Sequence, residues 1–385
     1  MDPISPQPGS AQNPRHFVGR AQTSAIADRK LNTGVNLLLN DPRRMGKSYW
    51  LKAYTSRTTD FIAVVIDYEG VATQAEFLIR TVDALRKSQQ LHAGGLLTRL
   101  QALFQDVQVG AGPIKVRVAL QQRSSASLLT DTLKALGETA LSPVLICMDE
   151  VPLAILNIAN NEGRQAAREL LQTLRLLRQT EGRVRWILAG SIGFHHVLAA
   201  CGTTAGDLND LDNLPLGPLT VAEGTELARR LMLGIDRLAA DGTIEQLVER
   251  TGSIPYLLHK VASLLDTGSG TPVTPTDVDD AFEEFIDDPD EFQSFAHLLT
   301  RLEPNYGADA KLARRILNSV LSTRNAWCDI AEVRRDADHQ ERFDDVLTNL
   351  VSDHYLSQRG LRVRWRYPAL QYIWARRGMI WDRPS

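Results

Sequence analysis

Residues 35–48 read Val-Asn-Leu-Leu-Leu-Asn-Asp-Pro-Arg-Arg-Met-Gly-Lys-Ser, and this stretch decides how the chain is expected to fold. Its apolar run is typical of a buried strand. The Gly46-Lys47-Ser48 triplet is the end of a phosphate-binding loop, whose pattern is Gly, four residues, then Gly-Lys-Ser or Gly-Lys-Thr. Asp41 stands where that pattern has its first glycine. The sequence therefore predicts a strand, a phosphate loop and a helix, with one departure at the start of the loop.

The loop residues predict binding of a nucleoside triphosphate with Mg²⁺. Backbone N–H groups of such a loop and the start of the following helix bind phosphate oxygens. Lys47 is expected to reach the β- and γ-phosphates, and Ser48 to hold Mg²⁺. The side chain of Asp41 would crowd or repel phosphate unless it points outward. The residues expected to line the nucleotide here are Arg43, Arg44, Met45, Gly46, Lys47, Ser48 and Tyr49.

Two further strand ends carry polar residues in the order that this chemistry needs. The apolar residues 144–148 are followed by Asp149 and Glu150. We expect Asp149 to bind Mg²⁺ and Glu150 to act as general base on the attacking water. The next apolar run ends at Ser191, a candidate to hydrogen-bond the water or the γ-phosphate, although a serine there is also a common turn or cap residue. The predicted catalytic residues are Lys47, Glu150 and Ser191.

Apolar runs alternate with helical patterns from Phe17 to Leu216. This alternation predicts an α/β core, a parallel sheet with helices on both faces. The region His92–Arg123 is interpreted as an insertion, in which Val116–Leu120 could be an extra strand. The predicted strands are Val35–Leu39, Phe61–Ile66, Val144–Met148 and Val184–Ala189, and the predicted helices are Thr73–Lys87, Ala126–Thr139 and Arg164–Gln179.

The rest of the chain is mainly helical. Thr220 and Glu223 have the spacing of a capping box, and the predicted helices that follow are Thr225–Leu233, Thr243–Arg250, Ile254–Leu265 and Thr276–Phe285. Further helices precede two short strands, Tyr355–Gln358 and Arg362–Tyr367, which suggests a winged helix. The predicted organisation is a flexible arm at 1–16, a nucleotide-binding core at 17–218, an all-α lid at 219–289 and a winged-helix domain at 290–385.

The charge balance gives no global signal for nucleic acid, since 43 Lys and Arg face 46 Asp and Glu in 385 residues. A local signal lies near the C-terminus, where Arg362, Arg364 and Arg366 alternate along one strand and so share a face. These three are candidates to contact a phosphate backbone. A docking face against the acidic helix at 276–285, or against a partner protein, is the equal alternative. Three scattered cysteines and the lack of a long apolar run predict a cytoplasmic protein with no membrane contact.

With these motifs in order, the chain resembles the P-loop ATPases of the AAA+/STAND group, in particular archaeal-type ATPases with an origin-recognition-like layout. The resemblance implies that the lid motif brings Pro255 near the base of the nucleotide, although one extra residue separates Gly252 from Pro255. The segments that carry the resemblance are Phe17–Arg20, Pro42–Ser48, Asp149-Glu150, Gly190-Ser191, Leu214–Glu223, Thr251–Tyr256 and Val351–Leu356.

The resemblance implies an ATP- and Mg²⁺-dependent switch that hydrolyses ATP slowly and regulates a DNA- or protein-bound assembly. The alternative is a nucleotide-bound regulatory or scaffold module that does not hydrolyse ATP and acts through its winged helix on a separate effector protein. Asp41 favours the alternative, and so does the lack of arginine between Arg185 and Arg229. An arginine finger would come from Arg164, Arg168, Arg183 or a partner. The layout also allows a homo-oligomer.

Overall fold

The computed structural model describes residues 2–9, 13–103, 123–203, 205–265, 271–293, 295–322, 326–338 and 341–377. The strand expected at 116–120 lies outside these residues. The chain forms two compact units. The core unit comprises Arg20–Arg43 and Lys47–Leu216, and the C-terminal unit comprises the described parts of Met1–Gly19, Arg44–Gly46 and Gly217–Ser385.

A five-stranded parallel sheet organises the core unit. Its strands are β1 (Asn36–Leu39), β2 (Ile62–Asp67), β3 (Val144–Asp149), β4 (Val184–Ala189) and β5 (Leu211–Asn213), in the spatial order β2-β3-β4-β1-β5. The four predicted strands are confirmed, and β5 is an additional strand at the edge. Every residue of β3 is buried, as expected for a strand in the middle of a covered parallel sheet.

Helices connect these strands and cover the apolar core of the unit. The three predicted helices are confirmed to within a residue or two at each end. The unit contains α1 (Ala21–Asn32), α2 (Lys47–Thr55), α3 (Gln74–Lys87), α4 (Leu96–Leu103), α5 (Ser125–Thr139), α6 (Val151–Asn161), α7 (Arg164–Thr180) and α8 (Phe194–Cys201). Both α2 and α6 begin directly after a segment that carries predicted site residues, which places those residues at helix N-termini.

The C-terminal unit is helical apart from a small antiparallel sheet. Its sheet contains β6 (Cys328–Asp329), β7 (Leu356–Arg359) and β8 (Arg362–Trp365), in the order β6-β8-β7. Its helices are α9 (Val221–Gly234), α10 (Thr243–Thr251), α11 (Pro255–Leu265), α12 (Pro275–Asp287), α13 (Pro289–Gln293), α14 (His297–Thr300), α15 (Leu302–Tyr306), α16 (Ala310–Ser319), α17 (Ile330–Asp336), α18 (Phe343–Ser352) and α19 (Pro368–Arg377). Among the helices of the described residues, none is both long and apolar enough to cross a membrane.

The capping box predicted at the start of α9 is present. The Thr220 hydroxyl accepts a hydrogen bond from the backbone N–H of Glu223, and the Glu223 carboxylate accepts one from the backbone N–H of Thr220. These two bonds satisfy donors that the first turn of a helix otherwise leaves unpaired. They fix the point at which the chain turns into the helices of this unit.

The N-terminal segment 2–9 is part of the C-terminal unit. The side chain of Ile4 is 1% exposed and belongs to the apolar core of the unit. The backbone N–H of Ile4 donates to the carbonyl of Arg230, and Nε of Arg230 donates to the carbonyl of Asp2. The backbone N–H of Gln7 donates to Nδ1 of His259 at 3.1 Å. One apolar side chain among polar neighbours is a weak sequence signal, yet it anchors this segment.

Candidate functional site

The phosphate loop between β1 and α2 needs unusual backbone angles at two positions. The φ angle is +72° at Arg44 and +86° at Gly46. A Cβ atom added at Gly46 would meet only the Pro255 ring, at 4.0 Å. There is room for a side chain at position 46, but the positive φ angle is unfavourable for any residue other than glycine. The backbone conformation is therefore the reason for glycine at this position. Arg44 adopts a strained conformation that the sequence pattern does not reveal.

Asp41 does not present its carboxylate to solvent at the start of the loop. The residue is 3% exposed, and Oδ2 accepts a hydrogen bond from the backbone N–H of Leu216 at 2.8 Å. The guanidinium of Arg20, which is also buried, donates to the carbonyl of the same Leu216. Both backbone groups of Leu216 are thus held by charged side chains of the core unit. The acid that replaces the first glycine ties the loop to the segment after β5.

Lys47 begins α2, and its ammonium group is held within the loop. Nζ donates to the carbonyls of Asp41 and Pro42, the latter at 2.8 Å. The acceptors in these bonds are uncharged, so the bonds orient the ammonium without cancelling its charge. The same positive charge acts on the Asp149 carboxyl, where it opposes the rise in pKa.

Ser48 and Asp149, the two predicted metal ligands, are hydrogen-bonded to each other. Burial at the end of β3 raises the pKa of the Asp149 carboxyl, while the hydrogen bond from Ser48 and the charge of Lys47 oppose this rise. A hydroxyl and a carboxylate are oxygen ligands of the kind that Mg²⁺ prefers. The donor set therefore fits a magnesium ion held by Ser48 and Asp149.

Glu150 and Ser191, two of the predicted catalytic residues, are also in contact. The backbone N–H and the hydroxyl of Ser191 donate to Oε2 of Glu150 at 3.3 Å and 3.0 Å. Nε of Arg43 donates to Oγ of Ser191 at 3.2 Å. A Cβ atom at Gly190 would lie 2.4 Å from the ring of Pro152, so glycine is needed where the end of β4 approaches α6. The sequence analysis places Glu150 and Ser191 near the attacking water and Arg43 beside the nucleotide, but it predicts neither the bonds between Ser191 and Glu150 nor the bond from Arg43.

The remaining loop residues make contacts inside the C-terminal unit. The guanidinium of Arg44 lies 4.3 Å from the ring centroid of Tyr256, which is a cation–π contact. Met45 is 1% exposed and packs in the apolar core of this unit. Pro255 begins α11 next to Gly46. Tyr49, in the first turn of α2 in the core unit, is half-buried.

Two of the three arginines predicted to contact nucleic acid, Arg362 and Arg364, lie on one face of β8, and Arg366 directly follows its last residue. Val363 and Trp365, which alternate with them, are buried. Arg362 is exposed. The guanidinium of Arg364 lies 4.7 Å from the ring centroid of Trp327. Nε of Arg366 donates to the hydroxyl of Tyr367 at 3.0 Å.

The basic residues of α19 are engaged differently, because they contact the acidic helix α12. Nη2 of Arg376 pairs with Glu283 at 3.2 Å and with Asp287 at 2.6 Å. The hydroxyl of Tyr372 also donates to Glu283, and Nε of Arg377 donates to a carbonyl of α12. Docking against the acidic helix, the alternative considered from the sequence, is therefore what α19 does. Arg362, Arg364 and Arg366 remain the candidate surface for contact with nucleic acid.

No protein-family model matches this chain, and no curated protein matches it in sequence. Among solved structures, it is similar to the Walker-type ATPase PABY2304 of Pyrococcus abyssi, with 17% identity, 93% of this chain and 95% of that chain covered, and a TM-score of 0.61. It is also similar to the Aeropyrum pernix ORC2 protein, with 14% identity, 95% of this chain and 96% of that chain covered, and a TM-score of 0.44. For the Thermotoga maritima RuvB Holliday junction branch migration motor, the identity is 12%, the coverage is 93% of this chain and 95% of that chain, and the TM-score is 0.42. The first of these similarities shows that the chain has the fold of a Walker-type ATPase.

Proposed function

We propose that this protein binds ATP with Mg²⁺ and hydrolyses it slowly, as a nucleotide-dependent switch. The observation that carries the proposal is the hydrogen bond between Ser48 and Asp149 beside the ammonium of Lys47. A lysine for the phosphates and two oxygen ligands for a divalent cation are recurring parts of P-loop sites for phosphoryl transfer. All three residues lie in the core unit.

Each core residue has a defined role in this proposal. Lys47 stabilises the negative charge of the β- and γ-phosphates, and Ser48 and Asp149 hold the metal ion. Glu150 follows Asp149 directly and acts as the base that orients the attacking water. The bound magnesium would supply charge neutralisation at the phosphate oxygens. The approach of Pro255 to the base of the nucleotide stays a prediction.

Slow turnover is proposed because the base is restrained. Both hydrogen bonds from Ser191 go to Oε2 of Glu150, which fixes the carboxylate in one orientation, so only Oε1 would be left to accept from the attacking water. The chain also has no arginine between Arg185 and Arg229 to serve as a finger. These same observations favour the second candidate, a regulatory module that holds ATP without turning it over and acts on a separate effector.

For the output of the switch, we propose that α16–α18 and the three-stranded sheet form a winged helix whose β8 face contacts DNA. The exposed face of α18 carries Asp344, Asp345 and Thr348 and no cation. Asp344 is paired with Arg334, but Asp345 would face the DNA phosphates and be repelled, and α18 offers them no cation of its own, so its insertion into a groove is disfavoured. Arg362, Arg364 and Arg366, of which Arg364 stacks on Trp327, suit contact with the phosphate backbone. Such contact would be independent of base sequence.

Nucleotide binding tests the proposal. A fluorescent ATP analogue is titrated into the wild type with Mg²⁺ and with EDTA, and then into Lys47→Ala and Ser48→Ala. We expect the wild type to bind in a Mg²⁺-dependent manner, Lys47→Ala to bind at least about tenfold more weakly, and Ser48→Ala to lose most of the Mg²⁺ dependence. Lys52→Ala, an exposed lysine of the same helix, is the matched control and should bind as the wild type does. Absence of binding by the wild type would remove both candidate functions.

A further inference from the structure

We propose that Arg43 detects the third phosphate of the nucleotide and transmits its presence to Glu150 through Ser191. This inference rests on the proposed nucleotide binding and adds a residue that the phosphate-loop pattern does not specify. It also changes the role expected of Ser191. That serine becomes the link between a cation and the catalytic carboxylate rather than the group that contacts the γ-phosphate itself.

The direction of the hydrogen bonds follows from the chemistry of the three groups. Arginine only donates and a carboxylate only accepts. Ser191 therefore accepts from Arg43 at 3.2 Å and gives its single hydroxyl proton to Glu150 at 3.0 Å. While these bonds exist, the hydroxyl of Ser191 has no proton to give to a phosphate or to a water. The position of Glu150 is consequently coupled to the position of Arg43.

The location of Arg43 suits contact with a phosphate. It lies inside the phosphate loop, three residues before Gly46, and is half-buried. The bond to Ser191 uses Nε, and the two Nη groups form the planar fork that matches two oxygens of a phosphate. The segment between Arg185 and Arg229 contains no arginine, whereas Arg43 is a cation that is hydrogen-bonded to the Ser191–Glu150 pair.

The coupling predicts discrimination between the triphosphate and the diphosphate. A dianionic phosphate competes better for a guanidinium than a neutral serine hydroxyl does. A third phosphate would draw Arg43 from Ser191, and the loss of that polarising donor changes how Ser191 holds Glu150. A diphosphate leaves the Arg43–Ser191 bond in place. Lys47, which is expected to reach the β-phosphate as well, contributes to the binding of both nucleotides.

The test compares equilibrium affinities for ADP and for a non-hydrolysable ATP analogue, both with Mg²⁺. The variants are Arg43→Gln, which keeps a donor of similar length without the charge, and Arg43→Ala. We expect either change to lower the affinity for the analogue at least about tenfold and to leave the affinity for ADP within about twofold of the wild type. Arg80→Ala, an exposed arginine on α3, is the control and should change neither affinity.

Three outcomes separate this inference from the function on which it rests. A selective loss of affinity for the analogue in both Arg43 variants, with unchanged thermal unfolding, supports it. Equal weakening of both nucleotides, or no change in either, overturns the role of Arg43 while leaving nucleotide binding intact. If the wild type binds neither nucleotide, the proposed function fails and this inference fails with it.

Discussion

Oδ2 of Asp41 accepts a hydrogen bond from the backbone N–H of Leu216, with 2.8 Å between the two atoms. These residues are 175 positions apart in the chain, and Arg20 holds the carbonyl of the same leucine. The acid that interrupts the phosphate-loop pattern is thus a buried structural residue whose charge is directed at a backbone amide. Nucleotide binding is therefore compatible with its presence.

Replacement of Asp41 tests this structural role. Asp41→Ala leaves the buried N–H of Leu216 without its acceptor, so the core unit should lose about 1–3 kcal/mol of stability. Asp41→Asn keeps an oxygen acceptor and should lose less. Urea unfolding followed by circular dichroism measures the difference, and nucleotide affinity should change little in either variant. An unchanged unfolding midpoint together with tighter ATP binding in Asp41→Ala would mean that the carboxylate acts on phosphate instead.

Gly234, the last residue of α9, tests the docking of the N-terminal segment. A Cβ atom there would lie 2.0 Å from the carbonyl oxygen of Ile4, so Gly234→Ala should destabilise the full chain by about 1–3 kcal/mol. In a chain without residues 1–8, the same substitution should be neutral or stabilising by up to about 1 kcal/mol, because alanine favours helix. Thermal unfolding of the full and the shortened chain, each with and without Gly234→Ala, measures whether the effect of the substitution on stability changes sign. A similar effect in both backgrounds would show that the segment does not lie against α9.

His259 predicts a pH dependence of stability. Burial lowers the pKa of its imidazole from 6.5 to about 4, and Nδ1 accepts from the N–H of Gln7. Between these two values the unfolded chain binds a proton at this residue and the folded chain does not, so stability falls as the pH falls. Between pH 6.5 and pH 4, the free energy of unfolding should decrease by about 3 kcal/mol.

The variant His259→Asn isolates this contribution. Its amide oxygen takes the place of Nδ1 as acceptor but does not titrate. We expect the unfolding free energy of the variant to depend less steeply on pH over this range than that of the wild type. Parallel pH profiles for the two proteins would show that the buried imidazole does not set the dependence.

The β8 face predicts the DNA-binding behaviour of the C-terminal unit. Replacing Arg362, Arg364 and Arg366 with alanine should weaken binding to a duplex of random sequence. It should also flatten the dependence of log K on log salt by about one unit for each arginine that contacts a phosphate. Fluorescence anisotropy at several salt concentrations measures both. Arg376→Ala, which removes a charge already paired with α12, is the matched control. If the triple variant and the control changed DNA affinity and its salt dependence equally, the contact with DNA would not lie on β8.

The sequence predicted the central strands well, because each is an apolar run bounded by turn residues. It missed β5, which is three residues long and contains one apolar residue, Leu211. It also missed α6, which begins immediately after Glu150 and carries Pro152 in its first turn. Proline is tolerated there because the first N–H groups of a helix have no partner within it, but in a sequence it is easily interpreted as a break.

The candidate site was predicted where a motif fixes both spacing and chemistry, as for Lys47, Ser48 and Asp149. The contacts of Arg43 with Ser191 and of Asp41 with Leu216 were not predicted. They join segments far apart in the chain, and no local pattern encodes such a pairing. The packing of residues 2–9 depends on a single buried side chain, Ile4, which no periodic pattern in the sequence identifies as a core residue.

The central claim is that Glu150 is the base of an ATP-hydrolysing centre, and the most direct test is Mg²⁺-dependent ATP turnover of the wild type beside Glu150→Gln. The glutamine is nearly isosteric with glutamate and still accepts a hydrogen bond from Ser191, but it cannot take a proton. We expect slow wild-type turnover that clearly exceeds the background, a variant rate lower by about 10²–10⁴-fold, and equal ATP affinity in the two proteins. Turnover by Glu150→Gln at the wild-type rate, or none by the wild type, would contradict the account.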